Sequence, residues 1–211
     1  MRYAISDIHG CRKTLEAALD RTGPGKEDEL FFLGDYIDRG PDSAGVMRRI
    51  IQLAADGYRV TALRGNHEQM LIDAIQQRQR PYDWVPSQNE AQEFLPWLDT
   101  LGHYAETPGY LLVHAGLNFA APDPLKDLSA MLWARYWEGD TDRGWLGDRT
   151  VVYGHTPSSR LETERGIRYM QHTQRVCIDA GCPYQKEGFG YLTVLNLDTH
   201  EGTFVRRIDE L

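Results

Sequence analysis

Leu30-Phe31-Phe32-Leu33-Gly34-Asp35-Tyr36-Ile37-Asp38-Arg39-Gly40 is the stretch on which the reading of this chain turns. Four apolar residues in a row, bounded by glycine, read as a short buried strand. Two carboxylates and an arginine follow in a turn closed by Gly40. In open α/β sheets, ligands collect beyond the carboxyl ends of the strands. Alone, an Asp-Arg-Gly turn is common and reads as a surface turn with a salt bridge. The weight comes from four other stretches built the same way.

An apolar strand over residues 3–6 runs into Asp7-Ile8-His9-Gly10, and one over 58–63 into Arg64-Gly65-Asn66-His67-Glu68. Strands over 109–113 and 150–153 run into His114-Ala115-Gly116 and Gly154-His155-Thr156-Pro157. Helical periodicity follows each of the first three: 12–22 with Leu15, Ala18 and Leu19 on one face, 43–55 capped by Ser43, and a third through about residue 77. That alternation implies parallel strands joined by right-handed crossovers. Residues 78–108 break the rhythm. They are polar and carry Pro81, Pro86, Pro96 and Pro108 with Trp84 and Trp97 between them, so a cap or loop insertion is expected there. Beyond it, a short helix is expected at 128–135, a loop at 138–149 and strands at 167–170, 175–178, 191–197 and 203–208. The second half reads as an antiparallel sheet. The fold class expected is α/β, an α+β sandwich of two mixed sheets packed face to face with flanking helices, in a single domain over 1–211.

Composition sets the outer bounds. With 211 residues, 41% hydrophobic and 26% charged, the chain is ordinary for a soluble globular protein. A net charge of −8 argues against a nucleic-acid partner. The three cysteines, Cys11, Cys177 and Cys182, are odd in number and form no Cys-x-x-Cys pair, so neither a disulfide framework nor a zinc knuckle is expected. No signal pattern and no long apolar run is present, so a cytoplasmic protein without membrane contact is expected.

Five strand ends thus carry Asp7 and His9, Asp35, Asn66, His114 and His155. Four of the seven histidines fall in these turns. A lone histidine at a strand end is usually just a satisfied polar group, but five such turns together point to a site. Oxygen and nitrogen donors without thiolate suit manganese, iron or zinc. Six ligands exceed one tetrahedral zinc and suit two cations bridged by a carboxylate, the arrangement that clamps an in-line displacement at phosphorus.

In this order the five motifs resemble those of the phosphoprotein phosphatase family of calcineurin-like metallophosphoesterases, over residues 7–157. The Arg64-Gly65-Asn66-His67-Glu68-Gln69-Met70 stretch is similar to the small bacterial and lambda-phage protein phosphatases. The resemblance implies that Asp7, His9 and Asp35 hold one metal and that Asp35 bridges to a second, completed by Asn66, His114 and His155. It implies His67 as general acid supported by Asp38, Arg39 on the phosphoryl oxygens, and Asn66 also within reach of substrate. A second phosphate-binding arginine is expected, with Arg135 preferred and Arg143 its rival. Asp179-Ala180-Gly181-Cys182 also resembles a family segment near the site and is taken as structural. The cofactor implied is a pair of divalent ions, manganese first, with iron or zinc as substitutes. The activity implied is serine/threonine phosphoprotein hydrolysis, on a phosphorylated protein or small phosphoester. Symmetrical diadenosine tetraphosphate hydrolysis is the alternative on the same scaffold. That branch typically lacks the aspartate found here at Asp38 and has Asp in place of Glu68.

Overall fold

The computed structural model describes residues 1–78 and 88–210. β1 (Arg2–Ile5), β2 (Glu29–Phe32) and β3 (Arg59–Ala62) are parallel, joined through α1 (Arg12–Thr22) and α2 (Ser43–Ala55). They form one sheet with β8 (Tyr191–Asn196) and β9 (Glu201–Arg206), in the order β3-β2-β1-β8-β9. A second sheet has the order β4-β5-β6-β7, from Tyr104–Thr107, Tyr110–Val113, Thr150–Tyr153 and Arg175–Cys177.

Period-two alternation sorts the apolar strands between two cores. Ala4, Phe31, Tyr110, Leu112 and Val152 point into the layer between the sheets, where Leu195 and Val176 meet them. Ile5, Leu30 and Phe32 point the other way, onto α1, α2 and α3 (Asn66–Gln76). Leu111, Val113, Val151 and Tyr153 cover the far side of the second sheet with Met131, Trp137 and Leu146. Strands buried on both faces need continuous apolar runs, which is why alternation is absent from Leu30-Phe31-Phe32-Leu33.

Several expectations are corrected. The second half does not form its own antiparallel sheet: β5, β6 and β7 run parallel, and only β4 is antiparallel to β5. The β8–β9 hairpin crosses to the first sheet, pairing antiparallel with β1. Residues 167–170 are not a strand but lie in α7 (Arg160–Thr173). Ser159 and Glu162 close a capping box there, and Thr163, Ile167 and Met170 form its buried stripe. α2 is capped by Asp42, which accepts from Gly45 N at 2.8 Å, while the Ser43 hydroxyl accepts from Asp38 N. Residues 138–149 hold a short helical turn and α6 (Arg143–Leu146), and α5 (Leu128–Trp133) stops before Arg135.

The part of 78–108 beyond residue 87 is built into the body. α4 (Gln88–Leu98) puts Ala91, Phe94 and Leu98 into the core beside α3, and β4 follows as an edge strand. Pro81, Trp84 and Pro86 lie outside the described residues.

Candidate metal centre

The turns after β1 and β2 are zipped together as if the strands continued. His9 N donates to Asp35 O at 2.9 Å and Gly10 N to Tyr36 O at 2.7 Å. Asp7, His9, Asp35, Asp38, Arg39 and His155 all hold positive φ, between 47° and 70°. That conformation strains any residue other than glycine and persists only where surrounding structure enforces it. Here it turns the side chains toward one point. Two glycines let the turns close: a Cβ on Gly154 would overlap the Asp7 carboxylate, and one on Gly65 would overlap Asp35.

Asp35 is the hub. With His9 and His67 it forms one group whose ligand atoms lie within 4.8 Å of one another, and with His114 and His155 a second. Sharing one carboxylate between two such groups is the geometry of a bridging ligand. Asn66 joins the second group, its Oδ1 lying 3.0 Å from His114 Nε2 and 2.9 Å from His155 Nδ1. Asp7 belongs to neither group. Its oxygens accept from His155 N at 3.1 Å and from the Ser6 hydroxyl.

The proton arrangement argues for cations. His114 Nδ1 lies 2.9 Å from the Leu33 carbonyl, so it carries the proton, and its Nε2 lone pair faces the Asn66 oxygen. His9 repeats this: Nδ1 donates to Ile37 O at 2.8 Å, leaving bare Nε2 3.5 Å from Asp35 Oδ2. Backbone carbonyls thus fix the tautomers, as they do for metal-binding imidazoles. Lone pairs aimed at lone pairs repel unless a positive charge sits between them, so the residues present fit a pair of divalent ions.

Burial makes the same case. It pushes the Asp7 carboxyl up to about 7 and the Asp35 carboxyl well above its ordinary value, with Asp7 adding repulsion at Asp35. It drives His9 and His114 well below the imidazole range and His155 down to about 4, with Arg135 the next cause at His155. The imidazoles are therefore neutral and ready to ligate at neutral pH.

His67 differs from its neighbours. Its Nδ1 is held by Asp38 Oδ2 at 2.5 Å, so only Nε2 faces the centre, 3.9 Å from Asp35 Oδ2. Its position at the start of α3 also points its backbone N–H at Asp35 Oδ1, 3.1 Å away. Exposed Arg39 stacks over Tyr184, with 5.4 Å from Cζ to the ring centroid. Arg135 lies by the turn after β6, with Nη1 3.3 Å from Thr156 Oγ1. Arg143 is turned away and donates to the His172 carbonyl at the end of α7. Asp179 is buried; its carboxyl is raised first by burial and then by Asp7, and it accepts from Gly181 N at 2.8 Å.

The sequence reading assigned no structural task to Glu68. Its fully buried carboxylate accepts from Asp35 N at 2.8 Å, Gly65 N at 2.9 Å and Tyr36 N at 2.9 Å, clamping two ligand turns together. The capping-box spacing from Gly65 could have pointed to one of these bonds. Glu68→Ala would leave three buried N–H groups unpaired. Chemical denaturation of this variant is expected to show a loss of about 3–5 kcal/mol, with reduced metal content. Unchanged stability would refute the clamp.

The fold presents a cluster of side chains able to hold two cations, and its family follows from likeness to known proteins. The model of the calcineurin-like phosphoesterase family matches residues 3–190, and the chain belongs to that family. Serine/threonine-protein phosphatase 1 of Salmonella typhimurium is 31% identical over 189 residues, covering 80% of this chain and 84% of that protein. The symmetrical bis(5'-nucleosyl)-tetraphosphatase of Nitrosomonas europaea is 37% identical over 121 residues, covering 54% of this chain and 44% of that protein. The Bordetella pertussis tetraphosphatase is covered over 63% of its length, so the chain spans about half to two thirds of these tetraphosphatases. A solved protein serine/threonine phosphatase from Saccharomyces cerevisiae shares the fold, with a TM-score of 0.71 at 17% identity over 100% of this chain and 81% of that one. Among the described residues no helix is long and apolar enough to cross a membrane.

Proposed function

We propose that this chain is a metal-dependent phosphomonoester hydrolase acting on phosphoserine and phosphothreonine in proteins. The observation that carries this reading is the His67–Asp38 pair. A carboxylate on Nδ1 orients the ring so that Nε2 faces the ligand cluster, the position from which the imidazolium form would deliver a proton. A serine or threonine alkoxide is a poor leaving group and needs that proton. A nucleotide phosphate leaves with a pKa near 6–7 and needs none.

Asp7, His9 and Asp35 would hold one cation and Asp35, Asn66, His114 and His155 the other, manganese being the metal proposed. When bound, such a pair supplies Lewis-acid charge and an activated water. Arg39 would grip phosphoryl oxygens in the bidentate manner open to arginine, its plane steadied by Tyr184. Arg135, beside His155, would take the second set, and Asn66 would also touch substrate. The likeness to the Salmonella phosphatase over 84% of its length supports the reading.

A second reading, symmetrical cleavage of diadenosine tetraphosphate, is favoured by the tetraphosphatases among the relatives. Catalytic efficiencies on a phosphoserine peptide, an aryl phosphate and diadenosine tetraphosphate separate the two. The monoesters are expected to be cleaved faster. An efficiency on the tetraphosphate about tenfold above any monoester, a gap of about 1.4 kcal/mol, would transfer the assignment.

A further inference from the structure

Tyr184, which supports Arg39, also lines a cavity of about 260 Å³ with Gln185, Lys186, Phe189, Arg206 and Arg207. Three cations and no carboxylate line it, a local reversal in a chain of net charge −8. Lys186 Nζ sits 4.9 Å over the Phe189 ring. Arg207 Nη1 is pinned by the Pro183 carbonyl at 2.8 Å, while its buried Nε has no hydrogen-bond partner. Among the described residues none of the three cations forms an ion pair. Glu162, close enough to feel Lys186, is engaged by Ser159 through Oε2.

We propose that this cavity is a second anion subsite, taking an acidic side chain of the phosphopeptide whose phosphoryl group is held at Arg39. The proposal rests on the phosphomonoesterase reading and names its substrate class: phosphoproteins with Asp or Glu close in sequence to the phosphorylated residue. The Tyr184 ring, shared by Arg39 and the cavity, decides the occupant. It is an uncharged wall between two cationic places. An extended peptide advances about 3.3 Å per residue, so a carboxylate two or three residues from the phosphoserine lies about 7–10 Å along the chain, with neutral backbone spanning the ring. A polyphosphate has no neutral spacer and would press a charged phosphate against the aromatic face.

The test uses paired phosphoserine peptides with Glu or Gln at positions two and three from the phosphoserine. They are assayed against the manganese-loaded enzyme and the Lys186→Ala/Arg206→Ala double variant. Both side chains are exposed, so the fold should survive, and melting temperature and metal content verify it. Wild type is expected to favour the Glu peptide about three- to tenfold at low salt, falling toward parity at high salt. In the variant the ratio is expected to fall to about one. A wild-type ratio of one, with both peptides cleaved, or a loss in the variant equal for both peptides, overturns the subsite and leaves the phosphatase reading standing. Cleavage of neither peptide, with diadenosine tetraphosphate turned over, overturns both.

Discussion

Chelation of divalent ions is expected to lower phosphomonoester turnover by on the order of 10³-fold or more, with manganese restoring it, because Lewis-acid stabilisation of this kind is worth several kcal/mol. The structure supports so large an effect through the charge it buries. Asp7, Asp35, Glu68 and Asp179 are all buried and all raised by burial, and without cations they oppose one another. The pH dependence follows from Asp7, whose folded value is about 7 against an ordinary value of 3.8. Between those values the metal-free folded state binds more protons than the unfolded state. The Asp7 contribution to stability is therefore greatest below the lower value and is lost as pH rises through the higher one, while the lowered His155 acts in the opposite sense below its ordinary value of 6.5. Cations compete with that proton, so metal affinity is expected to rise with pH up to about 7. The melting-temperature difference between metal-free wild type and Asp7→Asn across this window tests the first sign, and manganese affinity of the wild type tests the second. Full turnover in metal-stripped protein would remove the two-cation centre altogether.

The amino-acid sequence made the first sheet and the ligand turns legible for one reason. Strands buried on both faces must be apolar throughout, so each ligand turn begins where an apolar run ends. Asp35 is legible from sequence because the apolar run Leu30–Leu33 stops at Gly34. The second half was harder to read because local pattern there competes with long-range pairing. Ile167 and Met170 are β-compatible residues in a short stretch, yet the Ser159–Glu162 box commits them to a helix. β8 and β9 look like members of a local sheet, but β8 pairs with β1, nearly two hundred residues earlier. Glu68 was read only as a mark distinguishing two branches. Its clamp depends on the Asp35 turn lying against the Gly65 turn, a contact that no sequence spacing encodes. Tyr184 was overlooked for the same reason: its partner Arg39 comes from another strand end.

The assignment of His67 as proton donor is tested within one dipeptide. Asn66 offers Oδ1 to His114 and His155, whereas adjacent His67 is tied through Nδ1 to Asp38. His67→Asn keeps the backbone N–H that meets Asp35, so both metals should remain bound. Turnover of a phosphoserine peptide is expected to fall by roughly 10²–10⁴-fold, the range of general acid catalysis. An aryl phosphate whose leaving group ionises near neutrality needs little protonation and should lose much less. Asp38→Asn should follow the same leaving-group dependence with a smaller loss, since it disturbs the orientation of the ring and not its presence. The rival role for His67 is also built into the geometry, because it clusters with His9 and Asp35 as a possible ligand. Metal content decides between them. Loss of one ion from His67→Asn would make this residue a ligand. Equal slowing on both substrates with both ions retained would make it a positioning group and leave the proton donor to be found elsewhere.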